Sequence, residues 1–191
     1  MKPAAPFAIL ALVVLFALPL GAQQESGEPR IREVSVALDG HLVRVGFQLE
    51  GAVTADFVER LESGLPTGFV YRLELLKDRK RWFDQGVERS TLQVFAMYDA
   101  ATRGYLVNYK LDGKLIESRL VRGLPDLARA MTVIDALPAF QSTGLPRSWR
   151  LLVRVQADIG PRTLLGVLPT RQVTEWRESR KFRPPAPPEV P

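Results

Sequence analysis

One histidine, no cysteine and a scatter of carboxylates set the chemistry open to this 191-residue chain. His41 follows Asp39-Gly40, where an imidazole reads as an exposed hairpin residue, and no G-x-S-x-G elbow supplies it with a nucleophile. Lacking Cys, the chain has no thiolate nucleophile, thiolate-bound zinc, iron–sulfur cluster or disulfide. H-E-x-x-H and D-x-D-x-D-G patterns are missing too, so no metal and no cofactor is expected. Hydrolysis by two carboxylates remains, because such a pair meets only in space and leaves no short motif. Glu74, Asp84, Asp99 and Glu117 are the acids available for it. Acids on strands usually form a solvated face, so the chain reads as a non-enzyme, with a carboxylate-based hydrolase of an envelope glycan as the alternative.

Cations are more concentrated than acids. Residues 145–183 hold nine Arg and Lys against three acids, Asp158, Glu175 and Glu178. A second cluster, Lys77, Arg79, Lys80 and Arg81, runs directly into Trp82 and Phe83. Cations attract an anionic partner and aromatic rings supply contact area that buries well. Arg79, Lys80, Arg81, Trp82, Phe83 and Trp176 are therefore the candidate binding residues, for an envelope protein or an anionic lipid or glycan. The competing reading is an ordinary Arg-rich surface.

The N-terminus bears on where such a partner would be met. Lys2 is followed by the unbroken apolar run of residues 7–20 and then Gly21-Ala22. Fourteen residues rise about 21 Å as a helix, short of a hydrocarbon core of roughly 30 Å. The pattern is that of a cleaved secretory signal over residues 1–22, which places the mature chain in the periplasm or outside the cell. No later segment is long and apolar enough to span a membrane after cleavage, and nucleic acid is not an expected partner of an exported chain.

The elements that must position these residues follow from periodicity. Residues 30–38 and 43–49 alternate on either side of Asp39-Gly40, a two-residue hairpin signal. Thr54 caps a short helix with Phe57, Val58 and Leu61 on one stripe, ended by Ser63-Gly64. Strands are then expected over 69–76, 87–98, 105–111 and 115–121, with Asp112-Gly113 as a second hairpin turn. Connections this short require an antiparallel meander. Pro125 suits a first helical turn, and Leu127, Met131, Ile134 and Leu137 share a helical face up to Pro138. Residues 148–159 form the last clear strand, and 162–183 read as a loop with a short strand or helix. The fold expected over 30–183 is α+β, an antiparallel meander of about seven strands with two amphipathic helices; a small β-barrel is the alternative. Residues 184–191 carry five prolines and read as a disordered tail.

Four passages together resemble a bacterial family, the domain of unknown function 4390. They are Leu61, Gly64, Leu65 and Phe69-Val-Tyr71; Arg79-Lys-Arg-Trp82; residues 98–107, Tyr-Asp-Ala-Ala-Thr-Arg-Gly-Tyr-Leu-Val; and Trp176-Arg-Glu-Ser179. The resemblance implies export from a Gram-negative cell and carries no catalytic residue or cofactor. Its most specific passage has its own physical reading as a turn, with Tyr98 and Tyr105 flanking it, Asp99 and Thr102 bonding amides, and Gly104 supplying positive φ.

Overall fold

The computed structural model describes residues 27–79, 84–164 and 168–185. The signal segment, connector residues 80–83 and tail residues 186–191 lie outside the described residues. In chain order come β1 (Arg30–Asp39), β2 (Leu42–Glu50), α1 (Ala55–Glu62), β3 (Thr67–Lys77), β4 (Gln85–Asp99), β5 (Gly104–Leu111) and β6 (Lys114–Val121). There follow α2 (Leu124–Thr132), β7 (Val133–Gln141), β8 (Leu151–Leu164), β9 (Leu168–Val173) and β10 (Arg177–Glu178). The class is α+β and every strand pairing is antiparallel, as the short connections require. The meander is β3-β4-β5-β6; β8 adds to it beside β3, and β9 and β10 line the far side of β8. A second, three-stranded sheet has the order β1-β2-β7, and neither sheet closes into a barrel.

The two sheets share one apolar core. Val43, Val45, Phe47 and Leu49 of β2 face Phe69, Tyr71, Leu73 and Leu75 of β3, with the Phe47 and Tyr71 rings 4.9 Å apart. α1 begins where the Thr54 hydroxyl accepts from the Phe57 amide at 3.3 Å, and buries Phe57 and Leu61 on β3 and β4. It ends at Gly64, whose φ of 87° is open to glycine at no steric cost. Asp112-Gly113 forms the expected turn with both residues at positive φ, which suits the twist of the flanking strands.

Four expectations need correction. The first hairpin loop is Gly40-His41 rather than Asp39-Gly40, since Asp39 pairs with Leu42; only Gly40 takes positive φ. His41 is half-buried, and its carbonyl accepts both the amide and the hydroxyl of Ser142, at 2.8 and 2.9 Å. The second helix stops at Thr132, and Ile134 and Leu137 belong to β7. The large sheet has seven strands, as expected; β7 lies in the second sheet, and β9 and β10 form within residues 162–183, the segment that reads as a loop with a short strand or helix. In the residue 98–107 turn, Arg103 takes the positive φ, of 50°. Gly104 serves a different need there: a Cβ would lie 3.1 Å from the Val121 carbonyl oxygen and 3.2 Å from a Leu120 methyl.

The break between α2 and β7 has a specific cause. Helices leave their last carbonyls without intrahelical partners, and here Ala130, Met131 and Thr132 are all buried. Tyr109 donates to the Ala130 carbonyl at 2.6 Å and Tyr71 to the Met131 carbonyl at 2.7 Å. Burial pushes both phenols above their ordinary pKa, Tyr71 the further, with Tyr109 beside it adding to the rise. A raised phenol keeps its proton in the folded state at a pH where the unfolded chain loses it. The stability this contributes is therefore full at neutral pH and lost as pH climbs past the unfolded value of about 10. Denaturant midpoints measured against pH should be flat up to about pH 9 and fall above pH 10, and the fall should shrink in the Tyr71→Phe, Tyr109→Phe double variant.

Candidate functional site

Three segments distant in sequence meet at one end of the large sheet. β3 ends at Lys77, which pairs with Leu151 at the start of β8. On the other side of Leu151, Phe182 exchanges both backbone hydrogen bonds with it, at 2.8 and 2.9 Å. Asp78 ties the three together. Its amide donates to the Arg150 carbonyl at 2.8 Å, and its carboxylate, 11% exposed, takes Lys181 at 2.9 Å and Arg150 at 3.6 Å. Lys77 sits 3.8 Å above the Trp149 ring, a cation–π contact.

The result is a strongly basic end with a partly buried acid at its centre. Arg79, Arg147, Arg180 and Arg183 are exposed, and none makes an ion pair among the described residues. Arg79 is held locally, its amide donating to Asp84 at 3.1 Å and its guanidinium to Gln85. Lys80, Arg81, Trp82 and Phe83, which continue this connector, lie outside the described residues. Lys77 and Arg79 of one basic cluster and Arg147, Arg150, Arg180, Lys181 and Arg183 of the other thus lie at one end of the sheet, whereas Arg154 of the second cluster does not. The organiser of this end, Asp78, was not among the candidate residues, although a single acid set between Lys77 and Arg79-Lys80-Arg81 is a visible signal.

Trp176 belongs elsewhere. Its ring lies under the Arg154 guanidinium at 4.5 Å. Arg154 in turn grips Glu74 at 2.6 and 2.8 Å, and Arg89 reaches the other Glu74 oxygen at 3.1 Å. Trp176, Arg154, Glu74 and Arg89 make a row across the outer face of the large sheet, and among the described residues no hydrogen bond, ion pair or ring contact joins Trp176 to Arg79.

The four acids considered for hydrolysis are each engaged separately. Glu74 holds two arginines, Asp84 the Arg79 amide, and Glu117 pairs with Arg119 on β6. Asp99 accepts from the Thr102 hydroxyl and the Ala101 amide, both at 2.9 Å, and these bonds hold its carboxyl below the usual range. The Tyr98 and Tyr105 rings stand 5.4 Å apart beside this turn. Tyr105 donates to Glu62 at 3.2 Å, and both tyrosines, Glu62 and Arg103 line a cavity of 410 Å³. Burial first, and then the Glu62 carboxylate, raise the Tyr105 phenol.

The model of the family described as Domain of unknown function (DUF4390) matches residues 26–164. The chain belongs to that family. No curated protein and no solved structure matches it. The match takes in β1 to β8, including Asp78, Arg79 and Arg147, and stops short of Trp176 and the segment that closes on Leu151.

Replacing Asp78 with Ala leaves Arg150 and Lys181 without their shared partner. Both cations are about half exposed, so the expected loss is modest, about 1 kcal/mol. The local effect should be larger: trypsin should cut after Arg180 or Lys181 well before it cuts elsewhere. An unchanged digestion pattern would show that Asp78 does not fasten this segment.

Proposed function

We propose that this domain is a non-catalytic binding module of the bacterial envelope, whose basic end docks against an anionic amphiphilic surface, that of acidic lipid headgroups. The observation that carries the reading is the meeting of three basic segments, residues 77–79, 147–150 and 180–183, at one partly buried acid, Asp78, which Arg150 and Lys181 share. A cluster that served stability alone would be neutralised, whereas four arginines of these segments face solvent unpaired. Each cation near an anionic membrane surface contributes about 1 kcal/mol, so several together give useful affinity without a deep pocket. Trp149, half-buried beside Lys77, offers an aromatic surface at the same end, and Trp82 and Phe83 add two more rings to the connector by sequence. The secretory pattern of residues 1–22 supports a periplasmic setting, where such headgroups line both membranes.

Hydrolysis is the weaker reading, because Glu74, Asp84, Asp99 and Glu117 each bond to a different partner, and none of these bonds joins two of the four.

The test is co-sedimentation of the chain lacking residues 1–22 with vesicles of phosphatidylglycerol or phosphatidylcholine, at low and high salt. Binding should be confined to the anionic vesicles and should weaken with salt, since headgroup attraction is screened within about 10 Å at 0.1 M. Arg79→Glu, Arg147→Glu and Arg180→Glu together should weaken it about a hundredfold or more, with thermal stability nearly unchanged. Arg150 and Lys181 are left intact because they hold Asp78. Equal binding to both vesicle types, no binding to either, or a triple variant that binds like the wild type would contradict the proposal. Among these, absence of vesicle binding would turn the search toward an acidic protein face.

A further inference from the structure

Every open sheet has edges whose unpaired amides and carbonyls invite another strand, and proteins ordinarily blunt them. Among the described residues, three of the four edges are blunted. The outer side of β8 is covered by β9 and β10. β1 packs along β8 and β10 and is broken by a bulge between Arg32 and Ser35, with Glu33 at a φ of 48°. β7 carries Pro138, a left-handed Ala136 and two register shifts against β2. β6 stands apart: its first seven residues are exposed, and Leu115, Ile116 and Leu120 are 58, 47 and 48% exposed. Its one irregularity, opposite Tyr109 and Lys110, precedes a regular stretch from Glu117 to Val121.

That stretch is complementary to itself. On the inner face of the sheet Glu117 and Arg119 stand two residues apart, opposite Tyr109 and Val107; on the outer face Ser118 lies between them. Antiparallel pairing of two copies about a two-fold axis at Ser118 sets Ser118 opposite Ser118 of the partner subunit. It also sets Glu117, which within its own copy pairs with Arg119, opposite Arg119 of the partner subunit, twice by symmetry. Opposite charges directly across a ladder stabilise it, and like charges destabilise it. Shifting the axis by one residue, onto Glu117 or Arg119, sets two like charges face to face. Outside the pairing, Leu120, Leu106 and Met97 form an apolar row on the outer face that a second copy would extend.

We infer that the chain forms a two-fold symmetric dimer through antiparallel pairing of β6 with β6 of a second copy, in the register centred on Ser118. The inference is independent of the basic end, which β5, β4 and β3 separate from this edge. A self-complementary patch is what an isologous interface requires. One short strand pair buries less than a standard interface, so the dimer should be a reversible one, governed by concentration.

The absence of cysteine makes the test direct. Ser118→Cys introduces a lone thiol that the two-fold register places opposite its own copy, within reach of a disulfide. Mild oxidation should cross-link most of this variant, and little of a Ser148→Cys control, whose exposed site lies just before the start of β8. In sedimentation velocity the wild-type chain should pass from monomer to dimer as concentration rises. Arg119→Glu, which gathers four carboxylates about the axis, should weaken the dimer at least tenfold. Adding Glu117→Arg to it restores opposite charges and should restore most of the affinity. A wild-type chain that stays monomeric at every concentration would overturn the inference. So would a Ser118→Cys variant that cross-links no more than the Ser148→Cys control, or a double variant as weak as Arg119→Glu alone.

Discussion

Two phenol hydroxyls at the end of one short helix hold this fold's two sheets in a single core. α2 passes into β7 with no loop between Thr132 and Val133, inside the apolar interior. The last carbonyls of a helix buried in this way would each cost about 1–3 kcal/mol if left unpaired. Arg129 is satisfied by the Val133 amide, Ala130 by Tyr109, Met131 by Tyr71, and Ala128 also takes the Thr132 hydroxyl. Tyr71 and Tyr109 stand on β3 and β5 of the large sheet, whereas β7 belongs to the small one. The same two bonds therefore end the helix and join the layers, and the Phe47 and Phe69 rings around Tyr71 exclude the water that would compete for them.

What was legible in the sequence was what local chemistry decides. Thr54 as a cap, Ser63-Gly64 as a helix end, Asp112-Gly113 as a turn and the alternation in β2 to β6 all depend on residues within a few positions of one another. The end of α2 was not legible, because Leu127, Met131, Ile134 and Leu137 keep helical spacing across it. The hydroxyls that stop the helix come from 60 and 21 residues away in sequence. Arg103 shows the same limit on a smaller scale. A sequence reading gives Gly104 the left-handed position, but the crowding of Gly104 against β6 is a long-range fact that composition does not reveal.

The basic end shows both sides. Its two clusters were plain in the sequence, but their union was not, since it depends on β8 pairing beside β3 and on Phe182 closing over Leu151. Trp176 grouped with these cations by residue type, and the structure sets it over the Arg154–Glu74 pair on the sheet face instead. Charge alone therefore overcounts the surface: Arg150, Arg154 and Lys181 are engaged by Asp78 and Glu74, and only the unpaired arginines remain for a partner. The end of the chain is drawn into the same packing. Pro184 is buried, so the packed domain reaches two residues into the segment whose prolines read as tail.

The most direct measurement is native-state hydrogen exchange, comparing the wild-type chain with the Tyr71→Phe, Tyr109→Phe variant. If the hydroxyls fasten the helix end to the large sheet, protection should fall selectively. The amides of the last turn of α2 and of Val133, Ile134 and Leu137 should exchange faster by two or more orders of magnitude, the equivalent of about 3 kcal/mol. Those at the centre of the β3–β4 ladder should change far less. Equal loss across both sheets, or unchanged protection at the α2–β7 junction, would contradict the account.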